Sequence, residues 1–237
     1  MTTVALIGPD GAGKTTVARR LPDLLPVPVR YLYMGVSTDS SNVMLPTTRI
    51  ARRIKRAAGA PPDTAGPPSH GPRRTRSRSW IKRRTADVRA ALRVGNRLAE
   101  EWYRQWLAWR WERAGAVVVF DRHFFVDYHA YDVDEAAAAD DRSWSQRLHG
   151  TILGRFYPRP DLVVYLDAPG EVLLARKGEG TIEALERRRG EYRAIARHVP
   201  DFVEVDATAP VDEVAQRVAE AIVSRLPGRP PVRAEAR

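Results

Sequence analysis

Residues 3–16 read Thr-Val-Ala-Leu-Ile-Gly-Pro-Asp-Gly-Ala-Gly-Lys-Thr-Thr. The apolar run Thr3–Ile7 predicts a buried strand, and residues 15–25 predict a helix. Residues 8–15 between them match the pattern G-x-x-x-x-G-K-[ST]. In this pattern the glycines let backbone N–H groups surround a polyphosphate, the lysine contacts the β- and γ-phosphates, and the hydroxyl ligates Mg²⁺. The stretch therefore predicts a phosphate-binding loop between a strand and a helix whose N-terminus faces the phosphates.

Length and composition favour one α/β domain. The chain has 237 residues, of which 43% are hydrophobic, and this is enough for one large core. It contains no cysteine, which excludes a disulfide scaffold and a cysteine-based metal site. No stretch approaches the ~20 apolar residues that cross a membrane, and no leader-like segment precedes the first strand. These features predict a cytoplasmic protein with no membrane span.

The net charge of +10 comes from one segment of the chain. Residues 49–84 contain twelve Arg or Lys and one acid, whereas the remainder is nearly neutral. Residues 57–79 within this segment are rich in Pro, Arg and Ser and offer almost nothing apolar to bury, so they predict a mobile, disordered insertion. The segment lacks interleaved aromatic residues and a recognisable nucleic-acid-binding motif, so nucleic acid is not predicted as a partner.

Four further short apolar segments predict strands. They are Val29–Tyr33 and residues 116–120, 162–166 and 202–205. Helical patterns alternate with these segments, which predicts a parallel sheet with helices on both faces. The predicted domain covers residues 1–226, and the Pro- and Arg-rich residues 227–237 predict a flexible tail.

Residues 80–113 predict a long helix or a pair of helices. Trp102, Trp106 and Trp109 fall on one helical face, since they are spaced four and three residues apart. Such a stripe is typical of a face that packs on the core. The alternative is a homodimer interface, where large aromatic side chains supply contact area.

A carboxylate ends the strand predicted at the middle of the chain. Residues 117–121 read Val-Val-Val-Phe-Asp. A Mg·ATP-dependent phosphotransferase needs a carboxylate at such a strand end to hold the metal beside the loop hydroxyl. Asp121 and Thr15 are therefore the predicted metal ligands, and Arg122 is predicted to clamp a phosphate. Asp167, at the end of the next strand, is a rival ligand, although it could instead cap the helix that follows it.

Residues 176–193 combine glycines with a basic, helix-prone sequence. Gly178 and Gly180 could act as hinges, and the following arginines could neutralise charge on a transferring phosphoryl group. The segment therefore predicts a helical lid. The alternative is a charged helix that is merely solvated.

These motifs together resemble the thymidylate kinase family of P-loop nucleoside and nucleotide kinases. The features that carry the resemblance are residues 8–16 with an acid at Asp10, the triplet Asp121-Arg122-His123, the run Leu166-Asp167…Glu171…Arg176, and the basic lid. The family implies a three-layer α/β/α P-loop kinase fold, with a five-stranded parallel sheet and the phosphate-loop strand at its centre. It also implies transfer of the γ-phosphate of ATP with Mg²⁺.

The resemblance further implies which residues form the site. Those expected to bind ATP are Gly8, Asp10, Gly11, Ala12, Gly13, Lys14, Thr15, Thr16, Ala207 and Thr208. Those expected to act in phosphoryl transfer are Lys14, Asp121, Arg122 and a lid arginine, since Gly11 stands where some family members have a catalytic arginine. The lid candidates are Arg176, Arg187, Arg188 and Arg189. Those expected to bind the acceptor are Asp10, Arg49, Arg104, Arg122 and His123.

The acceptor side departs from the family pattern. No arginine follows the second predicted strand, and Glu100 stands near the position expected for a second acceptor arginine, with Arg97 and Arg104 as neighbours. The default acceptor is a nucleoside monophosphate such as dTMP. The alternatives are the same chemistry on another nucleotide, a nucleoside or a sugar-like hydroxyl. A different class of function is a nucleotide-dependent switch or scaffold that binds an acidic partner through the basic segment.

Overall fold

The structure, a computed structural model, describes residues 3–35, 43–57, 80–129 and 144–226. Residues 58–79 of the predicted insertion and the whole predicted tail lie outside these ranges. The described residues form a five-stranded, all-parallel sheet and eight α-helices. Within them, no helix combines the length and the apolar character needed to cross a bilayer.

All five predicted strands are present. They are β1 (Thr3–Ile7), β2 (Val29–Tyr33), β3 (Val117–Asp121), β4 (Leu162–Asp167) and β5 (Phe202–Asp206). The helices are α1 (Lys14–Leu24), α2 (Pro46–Ala57), α3 (Trp80–Arg113), α4 (Phe124–Tyr128), α5 (Trp144–Arg155), α6 (Gly170–Lys177), α7 (Ile182–Ala194) and α8 (Val211–Val223), and a 3-10 helix, Ile195–His198, follows α7. The last three strands end one residue later than predicted, each on an aspartate, because parallel pairing continues to that residue.

The sheet order is β2-β3-β1-β4-β5, with every neighbouring pair parallel. The strand that enters the phosphate loop is therefore central, as the sequence resemblance implied. Leu6 of β1 lies opposite Asp121 of β3, so the loop and this aspartate leave the same edge of the sheet. Ligands of open parallel sheets bind at the carboxyl ends of the strands, and this edge is the place to look for a site.

Two apolar cores cover the two faces of the sheet. Alternate strand residues point to opposite faces, so Val4 and Leu6 belong to one core while Ala5 and Ile7 belong to the other. Helices α1 and α8 pack on the first face, and α3, α4 and α5 contribute to the second. Burial on both faces explains why the strands read as continuous apolar runs.

Helix α3 is one uninterrupted helix of 34 residues, and its tryptophan stripe is divided between core and surface. Trp102 contacts the second core and lies 5.7 Å from the ring of Tyr157. Trp106 is 47% exposed and stacks on Tyr103. The core-facing prediction is therefore correct for Trp102 and wrong for Trp106. A homodimer through the outer face stays a prediction.

The predicted lid is made of two helices joined by a short glycine-containing turn. Helix α6 ends at Gly178, whose φ is 70°, and residues 178–181 are exposed. Helix α7 is anchored to the body, because Leu185 packs in the first core and Tyr192 in the second. Lid closure stays a prediction, and any such movement has to break these contacts or bend the turn.

The first core supplies a direct test of the fold on helix α1. Leu21→Ala is expected to lower the free energy of unfolding by about 2–5 kcal/mol, because Leu21 is fully buried and its removal leaves a cavity. Leu24→Ala on the same helix is the matched control, since Leu24 is 39% exposed, and its effect should stay within about 0.5 kcal/mol. Urea denaturation of both variants measures the difference. Equal destabilisation would contradict the packing of this helix.

Candidate phosphate-binding site

The loop between β1 and α1 has a backbone that requires glycine at two positions. Gly8 has a φ of 145°, and a Cβ there would lie 2.5 Å from the carbonyl oxygen of Leu166. Gly11 has a φ of 92°, and its Cβ would lie 2.8 Å from the carbonyl oxygen of Leu173. A side chain at either position would therefore be both strained and too close to the backbone. An arginine at position 11 does not fit this loop.

Lys14 is the buried cation of the loop. Its Nζ donates hydrogen bonds to the carbonyl oxygens of Gly8, at 2.7 Å, and Pro9, at 2.8 Å. Burial lowers the pKa of Lys14 to about 8, and the nearby charge of Arg122 acts in the same direction. Because Lys14 opens helix α1, its charge adds to the positive end of the helix dipole. The charge of Lys14 and the helix dipole both favour the binding of an anion beside this residue.

Thr15 and Asp121 form a pair beside Lys14. Thr15 Oγ1 donates to Asp121 Oδ2 at 2.5 Å, and Tyr31 Oη donates to the same oxygen at 2.9 Å. The other carboxylate oxygen, Asp121 Oδ1, is buried and has no hydrogen-bond partner among the described residues. Magnesium prefers oxygen ligands and usually keeps water or substrate phosphates in its shell. The pair therefore fits a magnesium ion.

No other carboxylate cluster competes for a metal in the described ranges, where no group of three His, Cys, Asp or Glu could hold one. Asp167, the rival ligand, accepts hydrogen bonds from Arg189 at 2.6 Å, Arg193 at 2.8 Å and Tyr165 at 2.5 Å. Burial alone would raise the pKa of Asp167, but these bonds outweigh it and lower the pKa. Asp167 does not cap α6 either, because the backbone N–H of Gly170 at that helix start donates to Glu186 Oε1, at 2.7 Å.

Arg122 follows β3 in a backbone conformation that is rare for its residue type. Its φ is 71°, and it is the one non-glycine residue with a positive φ in the part of the chain that the structure describes. Its Nη2 lies 2.5 Å from Asp10 Oδ1, and Lys177 Nζ lies 3.8 Å from the same oxygen. Burial alone would raise the pKa of Asp10, but the charges of Arg122, Lys14 and Lys177 outweigh it and lower the pKa.

A second carboxylate acts on Arg122 through its charge. Asp127, on α4, is buried and accepts a hydrogen bond from Tyr192 Oη at 3.3 Å. Burial disfavours the charge of Arg122, but Asp127 and Asp10 raise its pKa above the ordinary value. Arg188 lies over the Tyr192 ring, 5.4 Å from its centroid, and lines the same narrow crevice as Asp127. Among the lid arginines proposed from the sequence, Arg188 is the one beside this group.

An open groove of about 540 Å³ runs from the phosphate loop toward the end of β5. Its walls include six predicted ATP-binding residues, Gly11, Ala12, Gly13, Thr16, Ala207 and Thr208. Arg176 also lines it, donating to the carbonyl oxygens of Ala207 at 2.8 Å and Thr208 at 3.3 Å. The structure thus places Arg176 at the end of the groove away from Asp121, where it could contact a base. Its predicted role in phosphoryl transfer has no support in this position.

Arg104 is, after Asp10, a second predicted acceptor residue that the structure brings close to Arg122. It is buried on the inner face of α3, where Nη1 donates to the carbonyl oxygens of Tyr33 at 3.3 Å and Gly35 at 3.1 Å. Its Nη2 lies 3.8 Å from Glu100. Gly35 also approaches Arg122 closely, since a Cβ there would lie 2.6 Å from Arg122 Cδ. The backbone after β2 therefore lies between Arg104, which donates to it, and Arg122, which packs against it.

Three predicted site residues lie elsewhere. His123 is buried between the rings of Phe120 and Tyr157, and burial lowers its pKa to about 3, so it is a neutral part of the core. Arg49 is exposed on α2. The Arg187 side chain is 73% exposed and lies 4.0 Å from Glu191. The acceptor role of His123 is not supported because its ring is enclosed, and the roles of Arg49 and Arg187 have no contact that supports them.

Sequence reasoning missed Tyr31, Asp127 and Tyr192. Tyr31 reaches Asp121 only because β2 and β3 are neighbours, and sheet order is not readable from the strand itself. Asp127 is the fourth residue of the short helix that follows the Asp-Arg pair, and an acid in an otherwise apolar five-residue helix was the available signal. Tyr192 carried none, because it belongs to a helix 65 residues away in sequence.

The site as a whole joins a buried ammonium, a hydroxyl–carboxylate pair and an ion-paired arginine at one edge of a parallel sheet. This combination can bind a polyphosphate together with a divalent cation. No protein-family model matches the chain. Its function therefore has to be inferred from the chemistry of these residues.

Proposed function

We propose that this protein is a Mg·ATP-dependent phosphotransferase with a P-loop kinase fold, which moves the γ-phosphate to a small-molecule acceptor. The observation that carries the proposal is the contact between Thr15 and Asp121 directly beside Lys14. A glycine loop alone would suggest phosphate binding. The added carboxylate with a buried, unpartnered oxygen supports a metal-assisted reaction.

The two ends of the groove suit the two ends of ATP. The adenine would lie between Arg176 and residues 207–211, and the phosphates would extend along the loop to Lys14. Lys14 would exchange its bonds to the loop carbonyls for bonds to phosphate oxygens, so its position is already set before a nucleotide arrives. Thr15 and Asp121 would hold the magnesium ion, which supplies charge neutralisation when bound.

The acceptor side would lie beyond Asp121, where Arg122 pairs with Asp10 and is also influenced by the charge of Asp127. Arg188 and Lys177 reach this region from the two lid helices. Their charges can stabilise the negative charge that is shared among the phosphoryl oxygens during transfer. The dTMP acceptor implied by the resemblance stays a prediction.

The proposal is tested with purified protein, Mg²⁺ and ATP labelled at the γ-phosphate. We expect acceptor-dependent transfer of the label that stops when the metal is chelated. The acceptors tested are nucleoside monophosphates, nucleosides and simple sugars. Release of labelled inorganic phosphate measures slow hydrolysis, in which water is the acceptor. Tight ATP binding with no transfer to any acceptor or to water would instead favour the switch or scaffold alternative.

A further inference from the structure

The cations on the acceptor side already have acidic or carbonyl partners. Arg122 pairs with Asp10, Lys177 lies 3.2 Å from Glu179, and Arg188 donates to Glu191 at 3.1 Å. Arg104 is held by two backbone carbonyls, and Glu100 lies near its guanidinium. A phosphate acceptor carries close to two negative charges and would have to displace these partners. A neutral acceptor could bind without displacing these partners.

Asp127 adds a buried carboxylate to this region. It lines a narrow crevice with Arg188 and Tyr192, and the charges of Arg122, Arg188 and Lys14 act on it. A phosphate acceptor has no use for a carboxylate here, since its attacking oxygen is already deprotonated at neutral pH. A hydroxyl acceptor must lose a proton as it attacks, and a positioned carboxylate can accept that proton.

We propose that the acceptor is a neutral alcohol, such as a hydroxyl of a sugar or a nucleoside, and that Asp127 is its general base. The inference rests on the proposed phosphotransferase function and names the class of its second substrate. It is carried by the position of Asp127 in the crevice with Arg188 and Tyr192, and by the pairing of the surrounding cations.

The reaction balances without a further reactant. The acceptor hydroxyl gives its proton to the Asp127 carboxylate while its oxygen forms a bond to the γ-phosphorus. The bond from that phosphorus to the β–γ bridging oxygen breaks, and ADP leaves with the electron pair. The products are ADP, the phosphorylated alcohol and a protonated Asp127, which then releases its proton to water.

The environment of Asp127 disfavours its charged form and so favours proton uptake. Burial raises the pKa of Asp127, while Arg122, Arg188, Lys14 and the hydrogen bond from Tyr192 oppose the rise. These groups come from the loop after β3, helix α7 and the start of α1. Asp10 lies across Arg122, and Glu191 lines the same crevice. Removing the Tyr192 hydroxyl should therefore raise the pKa further.

The first experiment compares Asp127→Asn with the wild-type protein in label transfer from ATP. Water is a neutral hydroxyl acceptor, so hydrolysis serves as a readout even before the best alcohol is found. We expect turnover with alcohols and water to fall about 10²–10⁴-fold, the usual contribution of a general base. ATP affinity, measured by calorimetry, should stay close to that of the wild type. Separate assays with sugars, nucleosides and monophosphates identify the class of molecule that carries the reacting hydroxyl.

The second experiment separates a base from a residue that only positions Arg122. The turnover of the wild type should rise with pH along a limb that reports ionisation of Asp127. In Tyr192→Phe the carboxylate and the aromatic packing remain but the hydrogen bond is lost, so this limb should move to higher pH. A merely structural role of Asp127 would leave the limb in place and would weaken ATP binding instead.

The outcomes separate the two proposals. Transfer confined to monophosphates, or unchanged turnover in a folded Asp127→Asn protein, overturns the inference and leaves the phosphotransferase function standing. An unmoved limb in Tyr192→Phe also overturns it. A wild-type protein that transfers label neither to water nor to any acceptor contradicts the phosphotransferase function, and the inference falls with it.

Discussion

Lys14→Ala is expected to reduce phosphoryl transfer by about 10²–10³-fold, the usual effect of removing one preorganised electrostatic group from a reaction site. Lys14 is the buried cation of the loop. Among the described residues, its Nζ donates hydrogen bonds to the carbonyl oxygens of Gly8 and Pro9. Its substitution removes charge but little apolar packing. Steady-state turnover with saturating ATP measures the effect, and circular dichroism checks the fold.

Arg20→Ala is the matched control for Lys14→Ala. It also removes one positive charge from helix α1, but Arg20 is half-exposed and pairs with Asp212 on α8, away from the loop. Its turnover should stay near that of the wild type. Near-wild-type turnover in a folded Lys14→Ala protein would refute the assignment of this loop to phosphoryl transfer.

Asp121→Asn is expected to lower turnover by a similar factor, about 10²–10³-fold, because it would remove the charge of the proposed magnesium ligand. Thr15 and Tyr31 would still have an oxygen to contact, so the local packing should survive. A titration with Mg²⁺ is the informative measurement. The variant should need a higher metal concentration for half-maximal turnover, whereas its free energy of unfolding should change little.

Asp167→Asn should show the opposite pattern. Asp167 ends β4 as Asp121 ends β3, but it is bound by Arg189 and Arg193 instead of a loop hydroxyl. Its neutralisation weakens charged hydrogen bonds, so unfolding free energy should fall by about 1–3 kcal/mol. The Mg²⁺ dependence of turnover should match that of the wild type. If Asp167→Asn shifts this dependence more than Asp121→Asn does, the metal lies at the other strand.

The fold was predictable because its strands are marked by local signals. Each strand is a short apolar run with a helix after it, and that alternation predicts parallel pairing without knowledge of distant contacts. The last residue of each strand was harder to predict, because Asp121 and Asp167 are polar and still pair within the sheet. The central position of β1 came from the family resemblance, and the structure confirms it.

The residues of the candidate site could be predicted where they come from one continuous segment. They could not be predicted where segments that are distant in sequence meet. The loop with Lys14 and Thr15 is contiguous, and Asp121 is the end of a recognisable strand. Asp127 and Tyr192 meet only after helices α4 and α7 pack together, which no local pattern reveals. His123 was expected at the acceptor site but is buried in the core. Its position next to a site motif could not show in which direction its side chain turns.

The left-handed backbone of Arg122 has a consequence for attempts to make this protein more heat-resistant. A non-glycine residue in that conformation costs about 1–3 kcal/mol of folding free energy. Asn and Gly tolerate such backbone angles far better, so random libraries screened only for thermal survival should enrich them at position 122. Directed evolution of this protein would therefore drift toward variants that lack the proposed phosphate-binding arginine unless each round also selects for turnover.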